Sequence, residues 1–287
     1  KNESESLPTV LRELKKFKIK KHIILEKKDK KTIKSIKKFD CKIIMQKNKG
    51  YGDALIEGIQ SVNTKYYCIF NADGSFRPQE IDNMIKQLET EKLDIIFGSR
   101  YQKGSGSEDD TIITLVGNYI FTALGKIFFK LNITDILYTY VLGITSNTSS
   151  LNLKQKDFSF CVELPIKAKQ NNLKLGSINS YERKRIAGKK KVNAIKDGFL
   201  ILKYMIVLFF SIEKVFFKTS LPLFSSRPTF KSATLGFSFW KRDFDKAAPI
   251  EAKSHKFFSL HSILAPRSKT TFMLFLFGHK PARAGLL

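Results

Sequence analysis

The stretch Tyr66-Tyr67-Cys68-Ile69-Phe70-Asn71-Ala72-Asp73-Gly74-Ser75 decides the fold of this 287-residue chain. Its first five residues are apolar or aromatic, which predicts a short buried β-strand. The strand ends in a polar turn, for which Gly74 supplies the backbone freedom. Asp73 is therefore expected at the carboxyl end of a strand, the edge at which open α/β sheets bind ligands.

The polar side chains of this turn allow two interpretations. Asn71 and Asp73 offer oxygen ligands of the kind that Mg²⁺ and Mn²⁺ bind, commonly together with the oxygens of a substrate phosphate. Alternatively, Asn71, Asp73 and Ser75 form the turn and cap a helix that begins near Pro78. The turn by itself leaves both interpretations open.

A glycine-containing turn follows the strand predicted at Cys41–Met45. Lys49, Gly50 and Gly52 stand where the next helix should begin, and helix amino termini near glycines bind phosphate through their backbone N–H groups. The spacing is not that of a P-loop. We predict a phosphate contact at this turn.

A third predicted strand, Leu93–Ser99, leads directly into Arg100. A guanidinium at that position is suited to pair with a phosphate or a carboxylate. Three successive strands thus end in polar turns, which predicts a ligand site along one edge of a mostly parallel sheet.

Four motifs, taken in order, resemble the family 2 glycosyltransferases of GT-A fold. They are Asn-Glu-Ser at residues 2–4, Asn-Lys-Gly-Tyr-Gly-Asp-Ala-Leu at 48–55, Phe-Asn-Ala-Asp-Gly-Ser-Phe-Arg-Pro at 70–78 and Asp-Ile-Ile-Phe-Gly-Ser-Arg-Tyr at 94–101. The nearest branch is the one that builds polyprenyl-phosphate sugars, such as dolichyl-phosphate mannose synthase, and the resemblance extends to about residue 215. It implies a three-layer α/β fold, a nucleotide-diphosphate sugar donor and a Mg²⁺ or Mn²⁺ cofactor.

The resemblance also implies roles for residues on the donor side. Asn2 and Glu3 are expected to contact the nucleotide. Asn71 and Asp73 stand where the family has its metal-binding D-x-D, with an amide replacing the first carboxylate. Because an amide oxygen carries no charge, we expect weaker metal binding, or a metal held by Asp73 alone. Arg100 matches an arginine that neutralises phosphate.

On the acceptor side the resemblance is less complete. Asp135 matches an Asp of the family, but the Ser-Gly-Phe-Arg that should follow it is absent. Glu163 lies in a segment similar to F-x-x-E-L. Residues 181–193, which include Arg183 and Arg185, resemble the R-x-x-G-x-S-K loop that covers the pyrophosphate, with Lys190 in place of Ser. The alternative for this segment is a solvated basic loop.

The chemistry of sugar transfer assigns tasks independently of the family. The departing diphosphate needs charge neutralisation, for which Asp73 with a metal, Arg100, Arg183 and Arg185 are candidates. A hydroxyl acceptor would also need a general base, either Asp135 or Glu163. A lipid phosphate is already ionised and needs none. We predict transfer to a polyprenyl phosphate. The alternatives are transfer to a saccharide hydroxyl in glycan assembly and an inactive module that binds anions or membranes.

Three domains or segments are predicted. Residues 1–194 form the catalytic domain, 195–218 a hydrophobic helix, and 219–287 an irregular tail interrupted by prolines. The helix is short for a membrane span and contains Lys203, so we expect it at the membrane interface; the alternative is a helix of the protein core. Only Lys1 precedes Asn-Glu, so the first strand of the sheet is expected to be missing, and such a fragment could be inactive.

The net charge of +25 and the pI near 9.9 predict an anionic partner. The basic residues are spread along the chain and no nucleic-acid-binding motif occurs, so we predict a membrane surface and no nucleic acid. Three widely spaced cysteines are typical of buried thiols in a reducing compartment. We therefore expect a peripheral enzyme on the cytoplasmic face of a membrane.

Overall fold

The computed structural model describes residues 3–187, 194–219 and 272–277; for residues 212–219 and 272–277 the description is of the backbone. The chain divides into two compact units, residues 1–211 with 269–287 and residues 212–268. The first unit contains the sheet and the site. Of the second, the structure describes the last turns of one helix.

A seven-stranded sheet forms the centre of the first unit. The strands are β1 (Ile19–Leu25), β2 (Lys42–Met45), β3 (Tyr66–Asn71), β4 (Ile95–Ser99), β6 (Val141–Ile144), β7 (Leu175–Asn179) and β9 (Phe272–Phe277), and a separate pair is formed by β5 (Gly106–Ser107) and β8 (Tyr181–Glu182). The order in the sheet is β2-β1-β9-β3-β6-β4-β7, and β6 is antiparallel to both of its neighbours, whereas the other pairs are parallel. The predicted α/β fold with a mostly parallel sheet is confirmed.

Helices connect these strands. Several begin with residues that favour a helix start: α1 has proline in its first turn, and α2 is capped by the side chain of Asp29. The helices are α1 (Leu7–Glu13), α2 (Lys30–Ile36), α3 (Tyr51–Gln60), α4 (Glu80–Thr90), α5 (Ile112–Phe129), α6 (Thr145–Ser149), α7 (Phe160–Gln170) and α8 (Ala194–Thr219), with a 3₁₀ turn at Leu14–Lys16.

The predicted strand at Tyr66 is confirmed as β3, a central strand of the sheet. Its first five residues are all buried, and Phe70 packs edge-on against Phe76 and Tyr140. A short apolar run of this kind is stable only when both faces of the strand are covered. Because β3 is fixed on both faces, the turn that follows it has a defined position.

The strand β9 corrects two expectations. Residues 272–277 belong to the predicted irregular tail, yet they form a strand that pairs in parallel with β1 on one side and β3 on the other. This is the sheet position expected to lack a strand. Phe277 is in register with Asn71, so β9 also ends at the carboxyl edge. The rest of the predicted tail lies outside the described residues.

Two long apolar helices, α5 and α8, pack against each other. Phe128 of α5 and Phe209 of α8 meet edge-on at 5.4 Å between ring centroids, and Gly198 lies against Phe121. The bounds of α8 match the helix predicted at 195–218. By length and composition alone, α5 could cross a membrane, and only 28% of it is buried.

Candidate active site

The turn after β3 holds Asp73 at the predicted sheet edge. Asp73 Oδ1 accepts hydrogen bonds from the backbone N–H of Ser75 (3.0 Å) and from its hydroxyl (2.8 Å), while Oδ2 lies 3.7 Å from Nη1 of Arg185. The two interpretations of the turn are therefore compatible. One carboxylate oxygen stabilises the turn, and the other faces a cationic partner.

Arg100, directly after β4, is surrounded by carboxylates. Its guanidinium contacts Asp135 through Nε (2.8 Å) and Nη2 (3.1 Å), and its Nη1 lies 3.0 Å from Glu182 and 3.6 Å from Asp110. The Tyr138 ring lies under it, 4.6 Å from the guanidinium carbon. Burial by itself lowers the pKa of Arg100, but the charge and hydrogen bonds of Asp135 and the charge of Glu182 hold that pKa well above its usual value. Arg100 is therefore a permanent cation that ties three acidic segments together.

Arg185 is the second cation of this edge. It contacts Asp109 in bidentate fashion, through Nη2 (2.5 Å) and Nε (3.1 Å), as well as approaching Asp73. The hydrogen bonds to Asp109 outweigh the effect of burial, and the charges of Asp73 and Asp109 add to them, so the pKa of Arg185 is raised. The predicted proximity of Asp73 to basic residues is thus realised mainly by Arg185.

These side chains line a cavity of about 320 Å³, a volume typical of small-molecule sites. One wall is polar and consists of loop and strand-end residues; the other is formed by α5 and α8 and is mostly apolar. The polar wall includes Glu3, Asn71, Asp73, Arg100, Asp109, Asp110, Glu182 and Arg185, and the helical wall includes Ile113, Gly117, Phe121, Ile195, Gly198 and Ile201. The site is therefore amphiphilic.

Neither of the two predicted general bases lines this cavity. Asp135 is fully buried and binds Arg100 and the side-chain amide of Asn118. Glu163 is also fully buried; it accepts backbone hydrogen bonds from Lys154 and Gln155 and pairs with Lys167 at 2.8 Å. Both carboxylates are occupied in holding the structure, so their predicted role as bases needs correction.

Arg183 also lies outside the cavity. Its guanidinium pairs with Glu13 at 2.9 Å and donates to the carbonyl of Phe76 at 2.7 Å. Of the two arginines predicted to contact a phosphate, Arg185 lines the cavity and Arg183 does not, so the prediction for Arg183 is corrected. Asn2 and the loop residues 188–193, which are also predicted at the site, lie outside the described residues.

Tyr51 lines the cavity, but Lys49, Gly50 and Gly52, the residues predicted to contact a phosphate, do not. The backbone N–H of Asp53 donates to the carbonyl of Lys156, and a Cβ on Gly50 would lie 2.0 Å from that same oxygen. Lys49 is exposed. The two glycines allow residues 155–157 to pass close to the start of α3. This packing explains why glycine occurs at positions 50 and 52, so the predicted phosphate contact at this turn is corrected.

This close passage predicts the effect of Gly52→Ala. The new Cβ would lie 2.1 Å from the Gln155 carbonyl oxygen and 2.7 Å from that of Asp157, both backbone atoms. We expect the free energy of unfolding to fall by about 1–3 kcal/mol in chemical denaturation. Gly117→Ala in α5 is the control: nothing lies within 4 Å of the added Cβ, so it should stabilise by up to about 1 kcal/mol. Equal effects of the two substitutions would refute this explanation.

Three acidic residues of the site were not predicted from the sequence. Asp109, Asp110 and Glu182 line the cavity and bind the two arginines. The pair Asp109-Asp110 directly before an apolar helix was the available signal. Cys161 also lines the cavity, but burial raises the pKa of its thiol to about 12, so it is not a nucleophile at neutral pH.

Comparisons with known proteins identify the fold and the family. Solved structures of glucosyl-3-phosphoglycerate synthase from Mycobacterium tuberculosis share the fold. The complex with Mn²⁺, UDP and glucosyl-3-phosphoglycerate matches with a TM-score of 0.58 at 12% identity, over 72% of this chain and 76% of that one. The complex with Mn²⁺ and UDP-glucose matches with a TM-score of 0.54 at 11% identity, over 72% and 75%.

The sequence profile described as Glycosyl transferase family 2 matches residues 1–147, just over half of the 287 residues. The resemblance inferred from the four motifs is thereby confirmed at the level of the family, as is the GT-A fold. The chain belongs to glycosyl transferase family 2, a family of enzymes that use nucleotide-sugar donors.

Proposed function

We propose that this protein transfers a sugar from a nucleotide diphosphate to a polyprenyl phosphate, at the surface of a membrane and with a divalent cation. The observation that carries the proposal is the amphiphilic cavity. Its polar wall offers Asp73 and Arg185 to phosphates, and its helical wall offers an apolar path for a hydrocarbon chain. A polyprenyl phosphate has both kinds of surface.

The charge of the cavity favours a cation-dependent donor. The described lining residues include six carboxylates (Glu3, Asp73, Asp109, Asp110, Glu182 and Asp197) and two arginines (Arg100 and Arg185). A diphosphate would be repelled by this excess of negative charge, although the whole chain carries +25. We infer that the donor binds together with Mg²⁺ or Mn²⁺. The solved complexes of the mycobacterial synthase contain Mn²⁺ with UDP or UDP-glucose.

The donor atoms of the site fit such a cation. Asp73 Oδ2 is a hard oxygen ligand, and the amide of Asn71 lies on the same cavity wall. The described residues contain no group of three or more His, Cys, Asp or Glu side chains placed to hold a metal. The cation would therefore take its remaining ligands from the diphosphate and from water, as Mg²⁺ commonly does. When bound, it would neutralise charge on the departing diphosphate.

The protein's own residues have separate tasks in this scheme. Arg185 is the cation available to the diphosphate oxygens as charge develops on them. Arg100 pairs with three carboxylates and holds the residues of the polar wall in position. Glu3 stands at the same wall, where the nucleotide is expected. The scheme requires no general base when the acceptor is a phosphate, because its oxygen is already ionised.

Transfer to a hydroxyl remains the second candidate. The solved neighbours include a complex of the mycobacterial synthase with phosphoglyceric acid, Mn²⁺ and UDP. A hydroxyl acceptor would need a base, and Asp197 on the cavity wall would replace Asp135 and Glu163 in that role. The apolar helical wall favours the polyprenyl phosphate.

The outer surface of α5 and α8 supports membrane association. Ile112 is 80% exposed, Tyr119 75% and Phe199 69%, an unusual degree of exposure for large apolar side chains. Exposed lysines occur on both helices, at Lys126 and Lys203, and could reach lipid headgroups. Cys41, Cys68 and Cys161 are free thiols, in agreement with the cytoplasmic face.

Charged substitutions on these helices should weaken membrane binding. We expect Ile120→Asp with Phe199→Asp, both exposed and outside the cavity lining, to lower the vesicle-bound fraction at least fivefold in co-sedimentation with phosphatidylglycerol vesicles. Met45→Asp, which alters an exposed apolar side chain of β2, is the matched control and should bind as the parent does. Equal binding by all three proteins would contradict a membrane role for α5 and α8.

A transfer assay tests the proposed function. Radiolabelled UDP-glucose and GDP-mannose are each offered with Mn²⁺ and one acceptor: a polyprenyl phosphate, 3-phosphoglycerate or an oligosaccharide. We expect label in the organic phase only with the polyprenyl phosphate, and at least a hundredfold less with Asp73→Asn. Arg12→Gln, an exposed arginine of α1, is the control and should retain full activity. Label on a water-soluble acceptor instead would support the second candidate.

A further inference from the structure

Arg185 stands where a cation bound to Asp73 would lie. Asp73 Oδ1 is used by Ser75, so Oδ2 is the oxygen directed away from the turn, and Nη1 of Arg185 lies 3.7 Å from it. Both side chains are largely buried, 18% and 16% exposed. A dication on Oδ2 and the guanidinium would be adjacent positive charges with little water between them, and they would repel each other.

The backbone around Arg185 is fixed to the same turn. The N–H of Ile186 donates to the carbonyl of Asp73 at 2.8 Å, and the N–H of Arg183 donates to that of Ser75 at 2.8 Å. The Ile186 side chain covers Gly74, where an added Cβ would lie 2.4 Å from Cδ1. The Cα of Arg185 is therefore held in place, and a change of partner must come from its side chain.

Arg185 already has a second anionic partner. Asp109 holds it in bidentate fashion, whereas the contact to Asp73 is longer and made through one nitrogen. A shift of the guanidinium away from Asp73 therefore gives up one long contact, whereas a shift away from Asp109 would break two hydrogen bonds. A diphosphate at the same wall would offer Arg185 oxygen acceptors in exchange.

We propose that Arg185 acts as a resident cation that competes with the divalent metal for Asp73 and yields this position when the donor diphosphate binds. The inference rests on the proposed function. It makes the binding of the metal and the binding of the nucleotide depend on each other. A metal that binds alone displaces Arg185 from Asp73 and offers it no new partner, whereas the diphosphate of the nucleotide provides one. Arg185 is thus a positioning residue for donor binding, as well as a phosphate contact.

Mn²⁺ binding without any sugar transfer tests this inference. Free Mn²⁺ is measured by electron paramagnetic resonance in a titration of the full chain, first with Mn²⁺ alone and then with UDP or GDP. For Arg185→Gln we expect the Kd for Mn²⁺ alone to fall at least threefold. The Kd for the nucleotide at saturating Mn²⁺ should rise at least tenfold. Arg183→Gln, whose guanidinium pairs with Glu13 outside the cavity, should change neither constant more than twofold.

The two possible failures are distinguishable. If Arg185→Gln binds Mn²⁺ alone no more tightly than the parent, while Asp73→Asn loses binding, the competition is refuted and the metal site stands. If Asp73→Asn binds Mn²⁺ and nucleotide as the parent does, the proposed donor site itself is wrong. Thermal unfolding of Arg185→Gln, expected within a few degrees of the parent, excludes a general loss of structure as the cause.

Discussion

Arg100→Ala is expected to lower the free energy of unfolding by about 3–5 kcal/mol at neutral pH, the cost typical of removing one partner from a buried ion pair. The guanidinium is the shared partner of Asp135, which is fully buried, and of Glu182 and Asp110. Without it, these carboxylates face each other in a region that excludes water. Urea denaturation followed by circular dichroism measures the loss.

A matched substitution shows whether this loss comes from the buried position of Arg100. The Arg100 side chain is 9% exposed and pairs with three carboxylates. Arg12→Ala is the control, because Arg12 is exposed and should cost less than about 0.5 kcal/mol. A loss below about 1 kcal/mol for Arg100→Ala at pH 7 would contradict the assignment of Arg100 to the framework of the polar wall.

Removal of residues 269–287 is expected to abolish cooperative folding. The deletion takes away β9, which is paired over six residues with both β1 and β3. Each unpaired backbone group that stays buried costs about 1–3 kcal/mol, and a native domain is stable by only about 5–15 kcal/mol in total. The shortened chain should therefore lack a sigmoidal thermal transition and should bind hydrophobic dyes.

A point substitution separates the role of the strand from that of chain length. Leu274 pairs with Lys21 and with Cys68, so Leu274→Pro removes a ladder donor in the middle of the sheet. Leu274→Val keeps the backbone N–H and a residue that favours strands, and should fold normally. If the deleted chain and Leu274→Pro both unfold with the cooperativity of the parent, β9 does not hold β1 and β3 together.

The strands and their polar ends could be predicted because their signal is local. The apolar run at Tyr66–Phe70 and the turn at Asp73 lie within ten residues, and short buried strands followed by glycine or aspartate are recognisable in one window. The same holds for Arg100 after β4. The carboxyl ends of parallel strands meet at one edge of the sheet. The sheet topology therefore predicts that Asp73 and Arg100 lie near the same site.

The remaining features depend on contacts between distant parts of the chain. The role of Gly50 and Gly52 is set by residues 155–157, about a hundred positions later. β9 joins strands some two hundred residues before it, and its sequence alone gives no indication of its partners. Pairing across such distances leaves no local pattern. The side-chain partners of Asp135 and Glu163 could not be predicted for the same reason.

Calorimetric titration of UDP and GDP, with and without Mn²⁺, tests the central claim most directly. The claim is that Asp73 holds a divalent cation shared with the donor diphosphate. The account predicts that at least one nucleotide binds the parent only when Mn²⁺ is present, and that Asp73→Asn weakens this binding at least tenfold. Equal affinity with and without Mn²⁺, or equal affinity for Asp73→Asn and the parent, would contradict it.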